Sequence, residues 1–303
     1  MEFKSIKEFI TMAKGHETRR IAVAAAEDEP VLSAIKDAMK EGIVLPVLVG
    51  HEEKIKEIAA QIGLNLEGIK IIHEPKPKVA CQRAVKVIKD GEAEILMKGL
   101  VPTADLLRAV LDKENGLRKG STISHIAFFE TPYYHKLVVV TDAAMNIAPE
   151  FKEKVAIVNN AVEACHRVGI ENPKVAVLAA VEVVNEKMEP TVHAAMLTMM
   201  NRRGQIPGCI VDGPFAIDNA ISKEACTHKK IVTEVGGDAD VLMCPDIEAA
   251  NILYKSMNFL GGAHSAAVIM GASVPIVLTS RADTEESKLY SIALAAAMKY
   301  EES

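Results

Sequence analysis

Arg20-Ile-Ala-Val-Ala-Ala25, with Asp28-Glu-Pro30 close behind it, decides the fold class of this chain. The apolar run is short and shows no polar alternation, as in a strand covered on both faces. Asp28 and Pro30 then open a helix, with Pro30 in the first turn, where a missing N–H costs nothing. Val31, Ile35, Ala38 and Met39 recur at helical spacing, and Gly42 stops the run. The alternation continues with strands expected over 43–49, 69–73 and 93–97, and helices over 51–62 and 78–88. This order predicts a mostly parallel sheet with helices on its faces.

A second set of elements starts at the strand 137–140 and continues with a helix over 150–168, a strand over 174–180 and a helix over 191–202. Short buried strands are expected at 210–212, 241–243 and 267–270. A chain of 303 residues is about where one core divides. The pattern breaks between 117 and 131. The expected organisation is two α/β domains, residues 1–125 with 271–303 and residues 126–270, the last strand and helix returning to the first domain.

Composition excludes several classes of function. A net charge of -6, aromatics at 4% and no Trp argue against a nucleic-acid surface. No apolar stretch is long enough to span a bilayer, and the first residues lack a signal core. The five cysteines are scattered and form no CxxC pair, as expected of buried thiols in a reducing cytoplasm.

Candidate sites gather at strand ends, where α/β proteins bind ligands. Pro275-Ile-Val-Leu-Thr-Ser280-Arg281 ends a strand on a hydroxyl and a guanidinium, which suit a phosphate or an oxyanion. Lys98-Gly99 leads through Thr103 into a helix whose first N–H groups can hold a phosphate. Arg108 lies five residues past Thr103, on another face, and must reach around. The spacing is not that of a P-loop. Asp142 and Asp212 read as caps, turn residues or weak metal ligands, with no third ligand at a useful spacing, and Asp218 leads into a helix. Glu182 and Asn185 either shape a cleft or close a turn. Ser124-His125 lacks the third member of a hydrolase triad. The nine histidines make no zinc pattern. Gly261-Gly262 allows either close ligand approach or tight packing, and no dinucleotide fingerprint is present.

Taken together, Lys98-Gly-Leu-Val-Pro-Thr-Ala-Asp-Leu-Leu-Arg108, Ser124-His125, Val140-Thr-Asp-Ala-Ala-Met-Asn146, Val211-Asp-Gly-Pro214 with Asp218-Asn219-Ala220, Cys244-Pro-Asp-Ile-Glu-Ala-Ala-Asn251 and Leu278-Thr-Ser-Arg281 resemble the phosphate acetyl/butyryltransferase family. The likeness covers nearly the whole chain and lies nearer the butyryl side. It implies a two-domain subunit like the isocitrate/isopropylmalate dehydrogenases, with the active site in the interdomain cleft and a dimer as the basic assembly. It also implies acyl-CoA, inorganic phosphate and acyl phosphate as ligands, with coenzyme A as a substrate and neither a tightly bound cofactor nor a metal. Residue by residue, it places the catalytic hydroxyl and guanidinium on Ser280 and Arg281 and a phosphate-binding arginine on Arg108. Lys98, Gly99, Thr103, Asp142 and Asn146 complete the expected binding set. The acetyltransferases carry an aspartate seven residues past the serine, where this chain has Ser287. Asp283 or Glu286 is then the candidate base, although Asp283-Thr-Glu-Glu286 also reads as a capping box. Two other classes share the same features. One is an NAD- and metal-dependent decarboxylating dehydrogenase using Asp142, Asp212 and Asp218. The other is a non-catalytic binder of coenzyme A or acyl phosphate.

Overall fold

The computed structural model describes residues 3–120, 122–278 and 283–299. Internal contacts divide the chain into two compact units. The first combines Lys7–Ser121 with Ala266–Met298; the second combines Met1–Ile6, Thr122–Ser265 and Lys299–Ser303. These limits stand a few residues from the domain boundaries expected at 125/126 and 270/271.

The chain begins with α1 (Glu8–Lys14), β1 (Arg19–Ala24), α2 (Glu29–Lys40), β2 (Val44–Gly50), α3 (Glu52–Ile62), β3 (Lys70–His73), α4 (Pro77–Lys89), β4 (Ile95–Lys98) and α5 (Thr103–Val110). It continues through β5 (Ser124–Glu130), β6 (Val138–Thr141), α6 (Phe151–Arg167), β7 (Lys174–Leu178), α7 (Glu189–Arg202), β8 (Ile210–Phe215), α8 (Ile217–Ile221) and α9 (Lys223–His228). Then come β9 (Val241–Met243), α10 (Ile247–Phe259), β10 (His264–Met270), β11 (Ile276–Val277) and α11 (Glu285–Ala297).

In the first unit the strand order is β3-β2-β1-β4-β11-β10. Pairing is parallel except between β10 and β11, where Ile269 faces Ile276. The central strand β1 explains the apolar run that begins the fold, for Ile21 through Ala26 are all completely buried. Asp28 caps α2 by accepting from the Val31 N–H, which is the helix start its sequence announces. The end of the chain returns to this unit through two residues, Ile276 and Val277, which pair with Leu96 and Met97 of β4. Helix α11 is buried continuously from Tyr290 to Ala297 and packs on α1 and α2. Its alanine-rich sequence, apolar on every side, suits that interior position.

The second unit orders its strands β5-β6-β9-β7-β8. β6, β9, β7 and β8 are parallel, and β5 is antiparallel to β6. Strand β5 falls where the sequence pattern was expected only to break between domains. Its polar start, Ser124-His125, masks a run through Glu130 in which every residue but the last is buried. β8 also runs past its expected end to Phe215, through Gly213-Pro214. Among the described residues no helix is long and apolar enough to cross a membrane.

Candidate functional site

In the first unit the parallel strands β1 and β4 end side by side, and their turns are joined by backbone hydrogen bonds. Gly99 N donates to Ala24 O at 2.8 Å, and Leu100 N to Ala25 O at 2.7 Å. Ala25 adopts φ 54°, a left-handed conformation uncommon outside glycine, at this junction. Lys98 turns its ammonium onto the same loop, donating to Gly99 O at 3.1 Å and Val101 O at 3.3 Å. Thr103 begins α5 behind its N-cap Pro102, whose side chain has no group to cap the helix. Arg108 lies in the last turn of α5, where Nη1 donates to Asp105 Oδ1 at 2.5 Å. Lys98, Gly99, Thr103 and Arg108 therefore belong to one strand-turn-helix. Arg108 and Asp105 border a depression of about 580 Å³ between α4 and α5, which Lys78, Arg83, Lys86 and Lys89 also line.

The catalytic candidates Ser280 and Arg281 lie outside the described residues. Asp283 and Glu286 are described, in the same unit as Lys98. The N-cap falls one residue later than a capping box at Asp283–Glu286 would place it. Thr284 is the N-cap of α11, its Oγ1 accepting from Ser287 N at 3.1 Å and also bonding Ser287 Oγ. Ser287, at the position where the acetyltransferases place an aspartate, is thus a capping partner. Glu286 Oε1 accepts from the Tyr290 hydroxyl at 2.7 Å, and Lys288 Nζ donates to Asp283 O at 2.5 Å.

In the second unit Asp142 follows β6 and is almost wholly buried. Its Oδ1 accepts from the backbone N–H groups of His125, Ala144 and Met145, each at 3.1 Å. Its Oδ2 accepts from Asn146 N at 3.0 Å and Asn146 Nδ2 at 2.5 Å. Asn146 Nδ2 also reaches Ile123 O at 2.9 Å. Asp142 and Asn146 are brought together, as a knot that holds β5 against the turn after β6. A ligand that engaged this carboxylate would have to displace one of those donors.

Other candidates find internal partners. Ser124 Oγ accepts from Asn160 Nδ2 at 2.9 Å, while the His125 ring packs edge-on to Tyr254. Neighbouring strand residues point to opposite faces, so these two cannot act as nucleophile and base together. Asp212 Oδ2 accepts from Thr233 Oγ1 at 2.6 Å, and Asp218 and Glu182 both meet Lys229. Asn185 closes a turn, accepting from Lys187 N and from Thr191 Oγ1. Gly261 and Gly262 end α10, Gly261 N donating to Ser256 O and Gly262 taking φ +61°. Among the described residues no group of three His, Cys, Asp or Glu side chains is arranged to hold a metal ion.

Two features escaped the sequence reading. Lys154 stands on the buried stripe of α6 with Ile157, Val158 and Ala161, and its Nζ lies 3.0 Å from His193 Nδ1 of α7. A lysine at an apolar-stripe position is a signal the sequence carries. The second feature is an apolar face over α10. A depression of about 620 Å³ lined by Leu178, Met188, Ile217, Ile252 and Leu253 adjoins one of about 340 Å³ that shares Ile217 and Leu253. Ile252, Phe259, Leu260 and Tyr133 are largely exposed around it.

The sequence matches the family model described as phosphate acetyl/butaryl transferase over residues 5–82 and 77–296. A phosphate butyryltransferase from Clostridium acetobutylicum is 50% identical over 293 residues, 97% of each chain. A phosphate acetyltransferase from Thermotoga maritima is 46% identical over 291 residues, 96% of this chain and 98% of the relative. Among solved structures, a branched-chain phosphotransacylase from Enterococcus faecalis V583 matches with a TM-score of 0.81 at 33% identity, covering 92% of this chain and 98% of that one.

Proposed function

This chain belongs to the phosphate acetyl/butaryl transferase family, and on that premise we propose that it transfers a short acyl group, butyryl favoured, reversibly between coenzyme A and inorganic phosphate. The observation that carries this reading is the 50% identity with a phosphate butyryltransferase over 97% of both chains. In one direction a phosphate oxygen attacks the thioester carbonyl, the C–O bond forms, and collapse of the tetrahedral oxyanion breaks the C–S bond and releases the thiolate. In the other, the thiolate attacks the acyl phosphate and phosphate leaves. Ser280 is the proposed donor to the oxyanion, and Arg281 and Arg108 the proposed phosphate ligands. Lys98, Gly99 and Thr103 are proposed to shape the phosphate-binding turn, and Asp142 with Asn146 to support the second unit's strand ends. Coenzyme A enters as a substrate rather than a resident cofactor.

The same proposal includes kinship with the isocitrate/isopropylmalate dehydrogenases, a homodimer or higher homo-oligomer, and a cytoplasmic location. The exposed apolar face over α10 supports the dimer: of thirteen residues in that helix only Ala250 is fully buried, although apolar residues dominate it. Five buried free cysteines suit a reducing compartment.

Thiol release from butyryl-CoA, followed with and without phosphate, tests the reaction. Phosphate-dependent release is expected, and none with any short acyl-CoA would overturn it. Relative kcat/KM for acetyl-, propionyl-, butyryl- and isobutyryl-CoA sets the acyl preference. One methylene shifts discrimination by only about 1–3 kcal/mol, and a clear preference for acetyl-CoA would move the assignment to phosphate acetyltransferase.

A further inference from the structure

We propose that Lys154 and His193 form a subsite for a phosphoryl anion at the carboxyl edge of the second unit's sheet. The ammonium is the starting point. Lys154 is only 3% exposed, and its partner is the imidazole of His193, 3.0 Å away. Among the described residues no carboxylate lies within 4 Å of Lys154 Nζ. Buried charges are ordinarily paired, and a neutral imidazole hydrogen-bonds a cation without neutralising it.

The hydrogen-bond chemistry defines what is missing. An ammonium has donors and no acceptor, so Lys154 donates to His193 Nδ1 and the imidazole proton resides on Nε2. That nitrogen is 3.9 Å from Glu189 Oε1, beyond hydrogen-bond distance. The remaining Lys154 N–H groups and His193 Nε2–H are all donors, and a phosphoryl group is all acceptor. Phe151, its ring 5.3 Å from that of His193, supplies an apolar wall.

Position supports the same ligand. α6 follows β6 and α7 follows β7, while Asp246 caps α10 after β9. β6, β9 and β7 are adjacent parallel strands, so these groups share the edge where α/β sheets take ligands. Burial pushes the Lys154 ammonium below its ordinary range, with Glu189 and Asp246 acting the other way from longer range. Burial, and then the Lys154 charge, also lower His193. A bound anion would oppose both shifts.

The identity of the phosphoryl group rests on the acyl-transfer reading, with inorganic phosphate and the phosphates of coenzyme A as its two sources. The test uses the whole enzyme, with KM and kcat measured beside the thermal-midpoint response to inorganic phosphate, CoA and 3′-dephospho-CoA. Lys154→Met is expected to raise one substrate's KM ~10-fold or more, change kcat less, and abolish the midpoint response to that compound. Lys154→Arg is expected to restore much of it. Loss confined to inorganic phosphate assigns the subsite to that substrate. Loss with CoA but not 3′-dephospho-CoA assigns the 3′-phosphate, and loss with both assigns the pyrophosphate. If Lys154→Met does not fold, His193→Asn decides alone. Wild-type KM values and midpoint responses in the folded variants, or a lowered midpoint with every KM unchanged, would overturn the subsite. The midpoint response needs no turnover, so an anion response without acyl transfer would keep the subsite and reject the reaction.

Discussion

A Cβ at position 99 would sit 2.1 Å from the carbonyl oxygen of Ala25, closer than any side chain can approach. The turn after β4 therefore rests directly on the turn after β1, with the Gly99 and Leu100 amides bonded to Ala24 and Ala25. Glycine at 99 is required for contact between two strand ends, independently of any ligand.

Gly99→Ala is expected to destabilise the first unit by about 1–3 kcal/mol, the range of overpacked interiors. The turn must move away from Ala25, carrying Lys98 and Thr103 with it. Urea unfolding and the KM for phosphate should change together. Wild-type stability in this variant would contradict the contact.

Asp142 holds β5 to the β6 turn through Oδ1, which accepts from His125 N, while Oδ2 fastens Asn146. Asp142→Asn presents an NH2 group to donors on one side, leaving at least one buried N–H unsatisfied. Hydrogen bonds to a charged group contribute about 1.5–3 kcal/mol, and an orphaned buried donor adds its own penalty. A loss of about 3 kcal/mol is expected in chemical unfolding, and Asn146→Ala should cost less because the backbone amides remain. Unchanged stability with a raised KM would show instead that the carboxylate faces a ligand.

The parallel α/β organisation was legible because buried parallel strands announce themselves as uninterrupted apolar runs, as in residues 20–25 and 93–97. β5 was not, since its first residues are a serine and a histidine that read as polar, whereas the fold buries both, Ser124 accepting from Asn160 and the His125 ring packing against Tyr254. The return of the chain end to the first unit was likewise beyond periodicity. It depends on a two-residue strand, Ile276 and Val277, whose long-range pairing with β4 leaves no local pattern. Among the candidate residues, Lys98-Gly99 in the first unit and Asp142-Asn146 in the second could be picked out as strand-end polar groups. Their partners could not, because Ala25 and His125 are distant in sequence. Ser287 shows the limit from the other side: its place in the chain points to chemistry, and its contacts are those of a helix cap.

The second unit also carries an acid-sensitive network. Asp238 meets Lys174 Nζ at 2.6 Å, His135 Nε2 at 2.8 Å and Lys136 Nζ at 3.3 Å, and Lys136 also pairs with Asp240 at 2.7 Å. Burial alone would raise the Asp238 carboxyl. Hydrogen bonds from Lys174 and His135 and the Lys136 charge outweigh it, holding the group well below the usual carboxylate range. A depressed folded-state pKa stabilises the fold fully above the unfolded value near ~3.9 and loses that contribution as pH falls through the folded value. Stability is therefore expected to decline below about pH 5. Asp238→Asn should be less stable at neutral pH, by about 1–2 kcal/mol once partial exposure is allowed for, and flatter in acid. Curves for the two proteins that stay parallel from neutral to acid pH would refute this.

The last expectation concerns the base that assists the thiol of coenzyme A. Ser287 is engaged with Thr284, and the candidate carboxylates beside it are Asp283 and Glu286. Glu286 has one oxygen bonded to the buried Tyr290 hydroxyl. Asp283 directly follows the segment carrying Ser280 and Arg281. Asp283→Asn is accordingly expected to lower acyl-phosphate-to-CoA turnover by ~10²-fold, the scale of general-base catalysis, with stability little changed. Glu286→Gln should have the smaller effect on rate, and the larger effect on α11 stability through Tyr290. The pH dependence of kcat/KM, measured on both variants, separates a base from a helix support. If both keep a normal rate and profile, no carboxylate base operates. Stabilisation of the thiolate by Arg108 and Arg281 then carries the step, as an adjacent guanidinium does for a thiol of ordinary pKa near ~8.5.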